Sequence, residues 1–102
     1  MPELPELNPV IHGKLRLALL SLLATVEEAE FTWLRTKTGA TDGNLGAQLG
    51  KLEEAGYVAV EKTFVQRKPQ SNYKLTEQGR TALTEYVQAL KTLLGNAMEM
   101  EA

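Results

Sequence analysis

Cysteine is absent from this 102-residue chain, and histidine occurs once, as His12. Without cysteine there can be no disulfide bond, thiolate metal site or cysteine nucleophile. One histidine cannot complete the ligand set of a transition-metal sensor, so we predict no metal and no cofactor and interpret His12 as an ordinary helix residue. The two serines, Ser21 and Ser71, have no base at a meaningful spacing, and no glycine-rich phosphate loop is present, so no enzyme is predicted.

Long apolar runs and an excess of positive charge are also lacking. No run approaches the roughly 18 residues of a membrane-spanning helix, and the acidic first residues do not resemble a secretory signal, so we expect a cytoplasmic protein. The formal net charge is −2, but between residues 61 and 80 five basic side chains stand against two acidic ones. Taken alone, this excess indicates only a mildly basic solvated face, but it is compatible with phosphate binding.

The apolar periodicity predicts three helices in the first half of the chain. Asn8 caps a helix over residues 9–25, Phe31 lies in a very short strand, and Thr32 caps a short helix from Trp33 to Lys37. Gly39 ends that helix, because glycine tolerates the left-handed conformation of a helix stop. The third helix spans residues 41–55, with Thr41 as its cap, and its buried stripe is Leu45, Leu49 and Leu52.

The second half of the chain predicts a β-hairpin followed by a long helix. Alternating residues 57–65, with Phe64 on the apolar face, and residues 71–75 form the strands, and the basic segment 66–70 forms the turn, which Pro69 marks as a loop. Thr76 caps a last helix that runs to about Leu94 and stops near Gly95, with resumption beyond this glycine left open.

The predicted order is helix, short strand, helix, helix, strand, strand, helix. This is a mainly α fold with a small β-hairpin wing (α+β), a winged helix-turn-helix. We expect a flexible arm over residues 1–8, the winged-helix domain with a terminal dimerisation helix over 9–94, and a C-terminal tail over 95–102.

One segment carries a family resemblance. A capped helix with a Leu-x-x-x-Leu-x-x-Leu core runs into Glu54-Ala55-Gly56 and a wing, and the hairpin closes with Tyr73-Lys74-Leu75-Thr76-Glu77-Gln78-Gly79. Over about residues 9–94 the chain resembles the small winged-helix regulators of the MarR and ArsR groups. The resemblance implies binding to double-stranded DNA and control of transcription, usually as a homodimer. The metal sensing of some ArsR relatives does not carry over, because the ligands are missing.

The outward side of helix 41–55 is the predicted DNA-reading surface. Asn44 and Gln48 lie at its edge and can pair with adenine in the major groove, whereas Thr41 and the free N–H groups at the helix start can hold a phosphate. Arg67 and Lys68 on the wing can reach the backbone or the minor groove. The full predicted DNA-binding set is Thr41, Asn44, Ala47, Gln48, Lys51, Arg67 and Lys68.

Three glycines in the same helix leave two interpretations open. Gly43, Gly46 and Gly50 each cost roughly 0.5–1 kcal/mol relative to alanine. Either they let the helix backbone approach DNA closely, or base readout is weak and this face meets another partner. The alternative function is therefore a protein-interaction module with weak or no DNA binding.

The last helix carries a heptad-like apolar seam. One interpretation packs it onto its own domain, and the other, which we favour, pairs it with a second copy in a homodimer. A small-molecule effector of unknown identity is possible between protomers or at Trp33, although Trp33 is more simply a packing residue. The predicted dimerisation residues are Leu83, Tyr86, Leu90, Leu93 and Ala97, with Met100 continuing the seam and Val87, Leu94 and Met98 beside it.

Overall fold

The computed structural model describes residues 4–101, with side chains described as far as residue 98. The three strands form one antiparallel sheet in the order β1-β3-β2. The predicted order of elements and the winged helix-turn-helix fold are confirmed. The elements are α1 (Lys14–Leu23), β1 (Ala29–Glu30), α2 (Phe31–Thr38), α3 (Asp42–Glu54), β2 (Val58–Val65), β3 (Lys68–Leu75) and α4 (Glu77–Glu101).

The core is built mainly from leucines of the first three helices. The predicted stripe of α3, which consists of Leu45, Leu49 and Leu52, is fully buried. Because these side chains hold one face of α3 against the domain, the opposite face remains exposed. The other buried apolar side chains are Ile11, Leu19, Leu20, Leu23, Ala29, Leu34, Val58, Leu75, Ala82 and Tyr86.

The first helix is shorter than predicted at both ends. Asn8 does act as a cap, since its Oδ1 accepts from the Val10 N–H at 2.9 Å, but it caps an isolated turn. That turn ends at Gly13, whose backbone is extended, with φ −157° and ψ 135°. A Cβ on Gly13 would lie 2.7 Å from Nη2 of Arg16. The missing side chain at Gly13 leaves the space that the Arg16 guanidinium occupies.

The helix-turn-helix unit is confirmed in its turn and corrected at its start. Gly39 ends α2 with φ +70°, and Thr41 Oγ1 accepts from the Asn44 N–H at 3.2 Å, as predicted. However, α2 begins at Phe31, so Phe31 does not lie in the strand and Thr32 is not the cap. The Thr32 hydroxyl instead donates to the Glu30 carboxylate at 3.2 Å.

The turn of the hairpin is tighter than the predicted segment 66–70. Only Gln66 and Arg67 form it, with φ +52° and +66°, the left-handed geometry typical of a two-residue hairpin loop. Pro69 lies within β3, opposite Phe64. β1 pairs with β3 only at Tyr73 and Asn72, so the edge of β3 beside Pro69 is open and the missing N–H costs no ladder bond.

Tyr73 anchors β3 against the start of α2. Its ring centroid lies 6.5 Å from that of Phe31. Burial, and to a lesser extent the nearby Glu53 carboxylate, raise the pKa of the Tyr73 phenol above its ordinary 10.0, while a hydrogen bond with Ser71 opposes this shift. The phenol is therefore protonated at neutral pH.

The last helix starts as predicted but does not stop near Gly95. Thr76 Oγ1 accepts from the Gly79 N–H at 2.9 Å and caps it. At Gly79 only glycine fits, because a Cβ would lie 2.1 Å from the Tyr57 carbonyl oxygen. The helix continues through Gly95 to Glu101. Gly95 has ample space around it, so its cost of roughly 0.5–1 kcal/mol does not end the helix.

Candidate nucleic-acid interface

The exposed face of α3 is low in relief. Gly43, Gly46, Ala47 and Gly50 are all exposed. A Cβ built on any of the three glycines meets no atom within 4 Å, and none has a positive φ. Neither internal packing nor backbone strain in the described chain therefore requires glycine at these positions, so any requirement must come from outside the chain.

The polar residues predicted to read bases lie along one edge of this face. Asn44 and Lys51 are exposed, and Gln48 is half-buried. Gln48 Nε2 donates to Asn44 Oδ1 at 3.2 Å, so the two amides lie side by side. Thr41 is exposed at the start of the helix, where the first N–H groups favour an anion.

Arg16 joins this edge, and the sequence predictions missed it. Its Nη1 donates to Gln48 Oε1 at 2.6 Å, and its Nε donates to the Val10 carbonyl. A signal was available, because Arg16 lies four residues before Leu20 and seven before Leu23, on the buried stripe of α1. A charged residue at such a position requires specific partners.

A second arginine, also missed, lies at the start of α3. Arg35 Nη1 is 2.8 Å from Asp42 Oδ1, and this ion pair connects α2 with the first turn of α3. Both side chains are well exposed, at 43% and 67%, so the pair contributes only about 0.2–1 kcal/mol. Its effect is to place a guanidinium beside the N-terminal end of α3.

The wing exposes both its predicted basic residues and an apolar pair. Arg67 lies in the two-residue turn and Lys68 opens β3, and both are exposed. Phe64 is 77% exposed and Val65 is 49% exposed. Phe64, predicted to lie on the apolar face of the hairpin, is therefore not covered by the core, which ends before this point of the strand.

The apolar residues of the predicted α4 seam differ in burial: the first ones pack against the domain, and later ones are more exposed to solvent. Tyr86 is only 5% exposed, and its hydroxyl lies 2.9 Å from Nδ1 of His12, so it belongs to the core of its own domain. Leu83 and Leu90 are half-buried against the same core. Farther along, Leu93 is half-buried and Ala97 is exposed, whereas Met100 lies outside the described side chains. In the described part of this helix, the larger apolar side chains that are exposed are Val87, Leu94 and Met98.

Trp33 is not part of the α3 edge, the wing or the α4 seam. It is half-buried, and Lys37 Nζ is 5.6 Å from the centre of its ring. The side chain lines a shallow surface groove with Val26, Glu28 and Thr36. Within the described residues there is no cluster of histidine and acidic side chains that could hold a metal, and no helix long and apolar enough to cross a membrane.

A winged helix-turn-helix fold with an exposed third helix is typical of DNA-binding domains. Residues 15–94 match the family described as the winged helix DNA-binding domain, and the chain belongs to this family. The predicted resemblance is confirmed for the MarR group by the solved structures below, and the ArsR part of it stays a prediction.

Individual proteins are similar to the chain over most of its length. An uncharacterized protein of Methanocaldococcus jannaschii is 34% identical over 87 residues, which cover 85% of this chain and 95% of that protein. The structure of a transcriptional regulator homologue from Pyrococcus horikoshii has a TM-score of 0.81 at 23% identity and covers 86% of this chain and 87% of its own. A MarR-family transcriptional regulator from Enterococcus faecalis has a TM-score of 0.68 at 28% identity, with 90% and 81% covered.

Proposed function

We propose that the chain is a sequence-specific, homodimeric regulator of transcription that inserts α3 into the major groove of double-stranded DNA. The observation that carries this proposal is the exposed face of α3. Its small residues have no internal explanation, and a row of polar and basic side chains runs along one edge. Such a face suits close contact between the helix backbone and a polar surface.

The dimensions of the groove support this placement. The major groove is about 12 Å wide and admits an α-helix. At about 1.5 Å per residue, the stretch from Gly43 to Gly50 presents roughly 10 Å of low-relief helix. The missing side chains allow the backbone to lie deeper, which brings Asn44 and Lys51 toward the base edges and the flanking phosphates.

The wing supplies contacts of a different kind. Arg67 and Lys68 project from a tight hairpin turn and carry charge without a carboxylate partner within the described residues. We assign them to the phosphate backbone beside the groove, where they add affinity for any sequence. Thr41 and the first N–H groups of α3 hold a further phosphate.

Homodimer formation is supported by an exposed apolar stripe on α4. Val87, Leu94 and Met98 are exposed together on one helix, at 38%, 53% and 71%, and burying the exposed part of each side chain favours association by roughly 0.5–2 kcal/mol. A twofold axis through this helix presents two copies of α3. The DNA site is then an inverted repeat with half-sites about 10 base pairs apart, centre to centre.

The exposed wing residues favour one alternative function. Phe64 and Val65 form an apolar pair of the kind found at protein contacts, and the net charge of −2 is low for a DNA-binding protein. In this alternative the domain binds another protein and DNA binding is weak.

Equilibrium binding of the intact protein to random and selected duplexes at several salt concentrations separates the two functions. A DNA-binding regulator loses affinity linearly in log K against log salt and enriches a preferred site from a random pool. Lys91→Ala serves as the charge-matched control for Arg67→Ala, because Lys91 is exposed on α4 and lies outside the wing. Since Lys91 falls between Val87 and Leu94 on the helix, sedimentation first establishes that this variant keeps the oligomeric state of the unaltered protein. Binding that neither depends on salt nor enriches any sequence would contradict the proposed function.

A further inference from the structure

Three side chains form a directed hydrogen-bond relay at the edge of α3. Arg16 Nη1 donates to Gln48 Oε1 at 2.6 Å, and Gln48 Nε2 donates to Asn44 Oδ1 at 3.2 Å. Arginine has no acceptor atom, so the Gln48 oxygen must face Arg16. The Gln48 NH2 group (Nε2) then faces Asn44, so the Asn44 atom that faces it must be the acceptor, Oδ1. The direction of the relay is therefore set by the chemistry of Arg16.

Arg16 itself is held from several sides. Its Nε donates to the Val10 carbonyl, and its Nη2 donates to the Pro9 carbonyl at 3.4 Å. The absence of a side chain at Gly13 leaves the space that the guanidinium fills. The side chain also rises from the buried stripe of α1. A guanidinium fixed in this way cannot turn aside to let the Gln48 amide rotate freely.

The relay determines what the edge of α3 offers to a base. Asn44 keeps both hydrogens of Nδ2 free, and Gln48 keeps one, whereas an acceptor site of each amide oxygen is already occupied. Guanine presents two acceptors, N7 and O6, in the major groove, whereas adenine presents one acceptor and one donor. A donor-rich edge matches guanine better than adenine.

We propose that Arg16 is a positioning residue that makes α3 prefer guanine at the base pair facing Asn44. This replaces the expectation from sequence that the amides pair with adenine, and it rests on the proposed function. The residue that reads the base is Asn44, the residue that transmits the orientation is Gln48, and Arg16 sets the direction of both.

The test begins with duplexes selected by the unaltered protein from a random pool. The position facing Asn44 is the one whose base preference disappears in Asn44→Ala. The measured quantity is the ratio of the affinity for a duplex with guanine at that position to the affinity for an otherwise identical duplex with adenine there. We expect a ratio of about five, which corresponds to one hydrogen bond of ordinary strength. In Arg16→Met the ratio falls to about one, because the Gln48 amide is free to rotate. Using a ratio removes any loss of folded protein from the comparison.

A second variant reverses the relay. In Gln48→Glu the introduced carboxylate accepts from Arg16 but cannot donate to Asn44. Asn44 must then turn Nδ2 toward the carboxylate and Oδ1 outward, so the ratio should fall below one in favour of the amino group of adenine. Arg35→Met is the matched control, since it removes a guanidinium beside α3 that takes no part in the relay. It should lower affinity for both duplexes and leave the ratio unchanged.

The outcomes separate the inference from the function on which it rests. A pool that enriches no sequence overturns both. An enriched site where the unaltered protein prefers adenine, or where no base preference depends on Asn44, overturns the inference alone. So does a ratio that is the same in Arg16→Met and Gln48→Glu as in the unaltered protein.

Discussion

Replacing an exposed glycine of α3 by alanine should move stability and DNA affinity in opposite directions. Gly46 and Gly50 lie inside a regular helix, and a Cβ there meets nothing within 4 Å. Alanine should therefore raise the free energy of unfolding by about 0.5–1 kcal/mol through helix propensity alone. For a domain of this size, that corresponds to an increase in Tm of about 2–8 °C.

The same methyl group should weaken DNA binding. If the backbone of α3 lies against the groove, an added methyl must be accommodated in a close contact, at a cost of about 1–3 kcal/mol by analogy with overpacked protein interiors. Thermal unfolding and duplex titrations on the same preparations measure both effects. Gly79→Ala is the contrasting control, because its Cβ would lie 2.1 Å from the Tyr57 carbonyl oxygen and must destabilise the fold.

Two results would refute this reasoning at different steps. Lower stability in Gly46→Ala and Gly50→Ala would show that this face of α3 is not free. Higher stability with unchanged affinity for a selected duplex would show that α3 does not approach DNA by its backbone, and the glycines would then have no role in binding.

Three further predictions concern the wing, the terminal helix and the core. Arg67→Ala and Lys68→Ala should each reduce the slope of log K against log salt by about 0.9 for every phosphate that the side chain neutralises, with equal effects on all duplexes; an unchanged slope would remove the wing from the interface. Leu94→Glu should convert a dimer into a monomer in sedimentation at micromolar concentration, and a monomeric unaltered protein would end the dimer proposal. Because the pKa of the Tyr73 phenol is raised in the folded state, the unfolded chain releases this proton first, so stability should be full below pH 10 and decrease as the pH rises toward the folded pKa. Urea unfolding at increasing pH should show this decrease in the unaltered protein and a smaller one in Tyr73→Phe.

Features encoded by neighbouring residues could be predicted from the sequence. The leucine stripe of α3, the Thr41 and Thr76 caps and the Gly39 stop all depend on residues within one or two helical turns. The break at Gly13 could not be predicted in this way. Nor could the partner of Arg16, because Gln48 lies 32 residues farther along the chain.

The wing and the terminal helix show two other limits of sequence patterns. Gln66 and Arg67 are not typical residues for a turn with positive φ, so the sequence did not indicate a two-residue turn there. The predicted turn was instead extended to include Pro69, which lies within β3. A heptad-like seam specifies that apolar residues share a helix face but not what covers them. Tyr86 is therefore covered by its own domain, whereas Leu94 is exposed in the single chain.

The left-handed turn of the wing has a consequence for how this hairpin tolerates change. Gln66 and Arg67 both have a positive φ, a conformation that glycine or asparagine adopts at a free-energy cost lower by roughly 1 kcal/mol or more at each position. An Asn-Gly turn at Gln66 and Arg67 would thus form the hairpin more readily while removing its guanidinium. In the proposed function, the contact of the Arg67 guanidinium with DNA therefore has to offset the conformational cost of this turn.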